Sequence, residues 1–361
     1  MATPSLQVGS ITAARGEKRF GSNEFSVDGR PYRLPMWLIN GAHDGPTLAV
    51  TAGVHPAEYA SIAAALQFGQ TIDPAKLRGR VIVVPVMNLP AFTARSIYIC
   101  PLDGKNLNRV FPGDPAGTGS EQIAAWIFAN VIKAADYFVD MHGGDLIEAL
   151  VPFTIFYKAG DPKVHDASLA MARAFGIPIL VGSETPGGTY SSAAKAGIPS
   201  ILTEAGGQGI WTAEDVRAHT DGLDRLMHHL KMRDGPLPAQ VACTVLSRFL
   251  WRRSDHDGFW YPAVSVNDQV REGQELGVVK DWEGRVLQRA TAEADGRVLF
   301  IVSSLAINQD GSAPRCRRID RRRPCSLLAN SWVRRRRSAP DAEIQDPGWY
   351  ARSACFSTSG R

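Results

Sequence analysis

The sequence predicts an α/β protein, a mixed sheet flanked by helices, followed by a small C-terminal all-β domain. Three observations carry this. Between about residues 46 and 231, short runs of Val, Ile and Leu alternate with amphipathic stretches. Near-continuous apolar runs of that length suit strands buried on both faces, with the amphipathic stretches as covering helices. Beyond the Gly-Pro-Leu-Pro break at 235–238 the helical period vanishes, and short apolar runs are separated by Gly and Asp turns. From about Asp310 apolar periodicity itself ends, and Arg clusters alternate with Pro and Ser.

In order along the chain, strands are expected at 47–51, 81–86, 137–140, 153–157, 177–181 and 200–203. Helices are expected near 57–68, 119–134, 162–175 and 212–231. Ser120 before Glu121, and Thr212 before Glu214, read as helix N-caps ahead of acidic first turns. The small β domain supplies candidate strands at 241–249, 264–266, 275–279, 285–287 and 298–302. The division is therefore 1–235, with about the first 30 residues an extended lead-in, then 239–308, then an Arg-rich tail at 311–361 expected to be disordered. The β domain stops abruptly near 305–311, where one closing strand would normally follow. We expect a frameshift or rearrangement to have replaced it, which truncation at 310 tests through stability.

Charge and cysteine usage narrow the class. The formal charge of +4 is uneven: the 12 arginines of 311–361 leave that tail at a net +8, and the preceding 310 residues at −4. Cys100, Cys243, Cys316, Cys325 and Cys355 make no C-x-x-C pair and no even framework, so neither a thiolate zinc site nor a disulfide scaffold is indicated. The first residues lack a basic flank and apolar run, and no segment reaches the roughly 18 apolar residues of a membrane span. A soluble, cytoplasmic protein is the expectation.

Three of the expected strands end in residues that bind metal or move protons. Val50–Thr51–Ala52–Gly53–Val54–His55–Pro56–Ala57–Glu58 is an apolar strand running into a His-x-x-Glu pair. Asp140–Met141–His142–Gly143–Gly144 and Thr203–Glu204–Ala205–Gly206–Gly207 follow the same logic. A hydrolytic zinc centre uses three protein ligands and leaves a fourth position for water. His55, Glu58 and His142 supply that set, and Glu204 is the candidate general base. Each motif is weak alone: a lone His-x-x-Glu arises often by chance, and a strand-end His or a loop Glu is usually satisfied by backbone or water. Their joint placement at the carboxyl ends of strands, where such sheets bind ligands, reverses the odds.

Asn106–Leu107–Asn108–Arg109–Val110–Phe111–Pro112–Gly113 adds a candidate substrate clamp. Arg109 offers a planar fork for a carboxylate, and the Asn108 amide donates to the same group. A surface Arg in an ordinary ion pair is the bland alternative. Asp140 lies two residues before His142 on one strand face, so it either hydrogen-bonds near the metal or caps backbone amides. His165, His219, His228, His229 and His256 show no ligand spacing and read as core or surface residues.

Taken together, His55-x-x-Glu58, Asn-Leu-Asn-Arg-Val-Phe-Pro-Gly, Asp-x-His142-Gly-Gly and Thr-Glu204-x-Gly resemble the succinylglutamate desuccinylase/aspartoacylase family, a branch of the zinc carboxypeptidase superfamily. The resemblance spans roughly residues 30–308. It implies a carboxypeptidase-like fold, one zinc ion per chain and hydrolysis of an amide. Carried over, His55, Glu58 and His142 are the ligands and Glu204 is the base. Asn108 and Arg109 grip a substrate carboxylate, and Arg95 matches the arginine that polarises the scissile carbonyl. Two departures stand out. Asn106 replaces the Asp that in some relatives orients a zinc histidine, although its carbonyl still accepts that bond. The stretch 189–195 lacks the arginine with which aspartoacylase reads a second carboxylate. Lys195 replaces it only approximately, which weakens the case for an N-acyl aspartate, and Tyr190 either lines the pocket or packs.

Residues 264–302 resemble the hairpins of biotinyl/lipoyl-like domains, but Lys280 lacks the context of a carrier lysine, so structural support is the expected job. The Arg clusters can meet phosphates, yet no aromatic platform accompanies them. Specific nucleic-acid partners and membranes are not expected; the expected partner is a small N-acyl amine, with a homo-oligomer left open. The leading reading is a zinc amidohydrolase that deacylates an N-acyl amino acid or related small amide. Its rivals are a zinc carboxypeptidase acting on short peptides and a non-catalytic metal-binding scaffold.

Overall fold

The computed structural model describes residues 5–236, 238–246 and 250–309; the expectation for the tail 311–361 lies outside them. A short hairpin, β1 (Leu6–Val8) and β2 (Ile11–Ala13), precedes two long antiparallel strands, β3 (Glu17–Val27) and β4 (Arg30–Asn40). The chain then runs through β5 (His43–Ala52), α1 (Tyr59–Thr71), β6 (Arg78–Val84), α2 (Leu89–Thr93), α3 (Gly119–Ile127), β7 (Tyr137–His142), β8 (Glu148–Leu150) and β9 (Phe153–Tyr157). It continues with α4 (Pro162–Phe175), β10 (Ile179–Ser183), α5 (Thr189–Lys195), β11 (Ser200–Glu204), α6 (Ala213–His229) and β12 (Thr244–Leu246). Nine of these strands form one mixed sheet in the order β12-β10-β9-β11-β7-β5-β6-β4-β3.

The centre of the sheet is parallel: β6, β5, β7 and β11 run side by side in the same direction. Its residues are closed off on both faces, which explains their near-continuous apolar sequence. Leu48, Val50, Val81, Val83 and Val139 are fully buried beneath α1, α4 and α6. On the opposite face Ala49, Ile82, Val84 and Phe138 pack with Ile123, Ala124 and Ile127 of α3 and with β1 and β2. α4 begins and ends where the sequence places it; Asp161 caps it, and Gly176 leaves it in the left-handed region.

Several expectations shift. The N-cap of α3 is Thr118 rather than Ser120, and the Thr118 N–H donates to Glu121 Oε2 at 2.8 Å. Two hydroxyl residues flank Gly119, and the pairing with Glu121 three residues on selects the earlier one. Thr212 does cap α6, with Asp215 as its reciprocal partner. Residues 264–266 form no strand. The extended lead-in forms strands, and β3 and β4 pair along their full length from Glu17↔Asn40 to Val27↔Arg30.

The C-terminal segment builds a four-stranded sheet from β13 (Gly258–Pro262), β15 (Glu275–Lys280), β16 (Val286–Thr291) and β19 (Ala306–Ile307), in the order β16-β15-β13-β19. A small pair, β14 (Gln269–Val270) with β17 (Gly296–Arg297), stands beside it. Two strands tie this segment to the rest. β12 extends the main sheet next to β10, and β18 (Phe300–Val302) pairs antiparallel with β8, just beyond the His142 strand end.

Candidate metal centre

The parallel register explains why the three motifs meet. β5, β7 and β11 are neighbours, Ala52 lies level with Met141, and His142 is the direct partner of Glu204. All three strands therefore discharge their last residues onto one edge of the sheet. Gly53 makes the exit from β5 possible. Its φ is +63°, and a Cβ there would stand 3.0 Å from Val86 Cα. The chain then turns through His55 and enters α1 directly after Glu58.

His55, Glu58 and His142 offer ligand atoms within 4.8 Å of one another. Glu58 sits between the two imidazoles. Its Oε1 is 2.8 Å from His55 Nδ1, and its Oε2 is 3.0 Å from His142 Nδ1 and accepts the Gly143 N–H at 3.2 Å. The far nitrogen of each ring is held as well. His142 Nε2 lies 2.8 Å from Asp140 Oδ2, and His55 Nε2 lies 3.1 Å from Asn106 Oδ1. Asp140 is fixed in turn by the hydroxyl of Thr51 at 2.7 Å and by that of Thr189. Asn106 Oδ1 also accepts the Asn108 N–H at 2.8 Å, so two donors converge on that atom and the carbonyl must face them.

This donor set fits zinc. Two imidazoles and a carboxylate are a hydrolytic ligand combination. Each ring has its Nδ1 turned inward and its Nε2–H committed to an oxygen acceptor, the arrangement that fixes tautomer and ring orientation at metal sites. The Asn106 carbonyl thus holds the His55 ring, and Asp140 holds the His142 ring rather than capping backbone amides.

The electrostatics are those of a largely buried, charged pocket. Burial alone would raise the Glu58 pKa, but the adjacent His142 and His55 override it and hold the carboxyl at about 2. Burial opposes protonation of His142, yet Glu58 and Asp140 bring its pKa well above the ordinary value. Glu204 goes the other way. Burial, reinforced by the negative charges of Glu58, Glu148 and Asp140 and resisted by His142, pushes its pKa far up.

The clamp residues split. Asn108 is buried, its Oδ1 accepts the Thr189 N–H at 2.9 Å, and its NH2 end makes no hydrogen bond among the described residues. Arg109 anchors one guanidinium nitrogen on the Asn108 carbonyl at 2.8 Å and leaves the rest of its fork toward solvent. Gly187 passes so close over Arg109 that a Cβ would sit 2.2 Å from the Arg109 carbonyl oxygen. Arg95 is exposed just past α2, in the left-handed region at φ 53°; its N–H donates to the Phe92 carbonyl at 3.1 Å, and its side chain makes no hydrogen bond or ion pair among the described residues. No contact joins it to the ligand cluster.

The other sequence candidates fall elsewhere. Tyr190 is buried and bonds Thr185, so it packs, and Lys195 pairs with Glu184 at 3.1 Å. Lys280 stacks on Tyr261. His219 is fully buried, with Nδ1 3.1 Å from Thr203 Oγ1 and a pKa lowered to about 4 by burial. Sequence reading overlooked Thr51, Thr189 and Tyr98, whose ring meets that of His55 edge-on. It also passed over Asp145 and Glu148, three and six residues after His142. The repeated acid in His-Gly-Gly-Asp-x-x-Glu was the available signal.

With this geometry in hand, the chain matches the succinylglutamate desuccinylase/aspartoacylase catalytic domain over residues 44–230. The chain belongs to that family. It is 31% identical over 272 residues to the Halomonas elongata N-alpha-acetyl-L-2,4-diaminobutyric acid deacetylase, covering 73% of this chain and 79% of that protein. Among solved structures, the product-bound ectoine utilization protein EutE (DoeB) of Ruegeria pomeroyi aligns with a TM-score of 0.76 at 26% identity, over 83% of this chain and 95% of its own. A succinylglutamate desuccinylase/aspartoacylase of Rhodobacter sphaeroides aligns with a TM-score of 0.75 at 26% identity, over 84% and 95%. The expected fold class is therefore established, and the family and its deacetylase relative make this chain an amide hydrolase. No helix among the described residues is long and apolar enough to cross a membrane.

Proposed function

We propose that the protein is a zinc-dependent deacylase that hydrolyses the amide of an N-acyl amino acid. The observation that carries this is the inward-facing His55–Glu58–His142 set with Glu204 in register beside His142. A zinc ion held by those three side chains would supply Lewis acidity and hydroxide at neutral pH. Every other role belongs to the chain. Asn108, through its NH2, and Arg109, through its open fork, bind the carboxylate of the amino acid. Arg95, on its exposed turn, reaches over the acyl carbonyl and stabilises the charge that develops on its oxygen. The Glu204 carboxylate takes a proton from the attacking water and delivers it to the departing nitrogen. Burial raises its pKa above that of a free carboxyl, which strengthens it as a proton acceptor. Water adds across the C–N bond, releasing a carboxylic acid and a free amine.

A panel of N-acyl amino acids against dipeptides separates this reading from a carboxypeptidase. Turnover of the first group with dipeptides at least about tenfold poorer in kcat/KM supports a deacylase. The reverse order overturns it.

A further inference from the structure

The buried stripe of α6 runs through Gly222, Leu223, Leu226 and Met227, and one turn nearer the helix start it holds a histidine, His219. His219 is fully buried, where Leu or Met would complete the stripe with no polar atom to satisfy. Its Nδ1 lies 3.1 Å from the hydroxyl of Thr203, which is also fully buried and makes no other hydrogen bond among the described residues. Its Nε2 is buried too and completes no hydrogen bond among the described residues; the acceptors that act on the ring are the carbonyls of Ala205 and His142. Burial keeps the ring neutral, and carbonyls only accept. The single ring proton therefore belongs on Nε2, and Nδ1 accepts from the Thr203 hydroxyl.

These contacts fall on either side of Glu204. Thr203 precedes it, Ala205 follows it, and the Ala205 N–H donates to the His142 carbonyl at 3.3 Å. One residue further, Gly206 turns at φ +81°, and a Cβ there would lie 2.7 Å from Ala60 Cβ of α1 and 3.3 Å from Asp215 Cβ of α6. The Glu204 carboxyl has no tether of its own: burial and the charges around it act on it, and no hydrogen bond does among the described residues. Its aim is therefore set by the main chain before and after it.

We propose that His219 is the positioning residue for the general base, gripping the strand exit on both sides of Glu204 and tying it to the main chain of His142. The inference rests on the deacylase reading given above and adds to it a residue of α6 that meets no substrate. His219 acts through Thr203 and Ala205, so its removal misdirects Glu204 and leaves the ligand set and the clamp intact. A histidine that merely fills the core would leave turnover untouched when an apolar residue replaces it.

The test uses the zinc-loaded full chain and reads kcat, KM, bound zinc and hydrogen exchange of the Ala205 amide. His219→Leu restores the apolar stripe and removes the grip. It is expected to lower kcat about 10–100-fold while KM stays within about twofold and zinc content is unchanged. Exchange at Ala205 should quicken by about tenfold or more. Thr203→Val keeps the shape of residue 203, removes the same hydrogen bond and should lower kcat in the same way, with no further loss when combined with His219→Leu. His219→Asn, which keeps an acceptor for Thr203, should recover about threefold or more of the kcat lost in His219→Leu. A kcat within about twofold of wild type in His219→Leu, unchanged exchange, or losses that add in the double variant overturns the proposal. Should His219→Leu fail to fold, Thr203→Val decides by the same kcat, KM and exchange readings. If the wild type hydrolyses no N-acyl amino acid, the deacylase reading falls by itself. Faster Ala205 exchange in His219→Leu then still sustains the grip on that exit, and unchanged exchange overturns it.

Discussion

The nine-stranded sheet and the C-terminal sheet are both rich in Val, Ile, Leu and aromatic residues, but they are packed very differently. In the former, Leu34, Met36, Leu38, Ile39, Leu48, Ile82 and Phe138 are fully buried. In the latter, Val270, Val279, Ala292 and Leu299 are among the few buried apolar side chains, while Trp251, Tyr261 and Trp282 are exposed, the last at 89%. An apolar cavity of about 560 Å³ opens between β13, β15, β16 and β18, lined by Trp260, Leu276, Val279 and Phe300 among others. The edge strand beside it, β19, is two residues long. The candidate metal set stands at the strand ends of the well-packed region, and among the described residues the looser region joins that sheet through β12 beside β10 and meets β8 through β18. Precision in a site comes from the elements beneath it.

The largest effects should come from the strand ends. Glu58→Gln removes the charged member of the ligand set, and a loss of zinc affinity of at least about 100-fold is expected by competition with a chelating dye. Asp140→Asn should cost less, about 10–100-fold in zinc affinity, because it loosens His142 without removing a ligand. Unchanged affinity in Glu58→Gln would break the assignment of the site to this region.

Packing gives a direct comparison. Leu48→Ala in β5 leaves a void walled by two layers and should destabilise the protein by about 2–5 kcal/mol in urea unfolding. The same change at Leu276, half-buried against the open cavity, should cost only about 1 kcal/mol, because little close packing is lost there. Equal losses would show that the two regions are packed alike.

The smallest effect concerns a loop at the site's rim. Asp103 accepts hydrogen bonds from Thr118 Oγ1 at 2.7 Å, Ser120 N at 2.8 Å and Ser120 Oγ at 2.7 Å, tying the segment before the clamp to α3. Burial would raise its pKa, but these donors lower it below the ordinary value. A depressed carboxylate contributes stability above its unfolded pKa of about 3.9 that is lost as pH falls through the folded value. Asp103→Asn should cost about 1 kcal/mol at pH 7, and the difference from wild type should shrink below about pH 4. A difference independent of pH would contradict this.

What the sequence revealed follows the same contrast. The strands of the parallel centre were legible because both faces are buried and their side chains read as continuous apolar runs, so the residues at their ends stood out. The β3–β4 pair was harder to see. It alternates, as in Tyr32, Leu34, Met36 and Leu38, and Pro31 and Pro35 interrupt the run. α5, Thr-Tyr-Ser-Ser-Ala-Ala-Lys, carries no helical stripe and is held by tertiary contacts such as the Ser200 hydroxyl on the Tyr190 carbonyl. Within the candidate site, the cluster of His55, Glu58 and His142 and the neighbouring Glu204 could be anticipated from motifs at strand ends. The contacts that orient them could not, because Thr51 and Thr189 reach Asp140 from separate elements brought together only by the fold. Asp145 and Glu148 were passed over because an acid in a turn is ordinarily solvated, whereas here both are removed from solvent beside the strand ends.

The central claim is that one metal and Glu204 act together at the strand ends. The most direct test is the hydrolysis of N-acetyl amino acids by purified protein and by Glu204→Gln, with bound zinc quantified in both. About one zinc per chain in each, with turnover in the wild type and a fall of about 100-fold or more in the variant, is the predicted result. Turnover that survives in Glu204→Gln, or hydrolysis by protein that holds no zinc, would contradict the account.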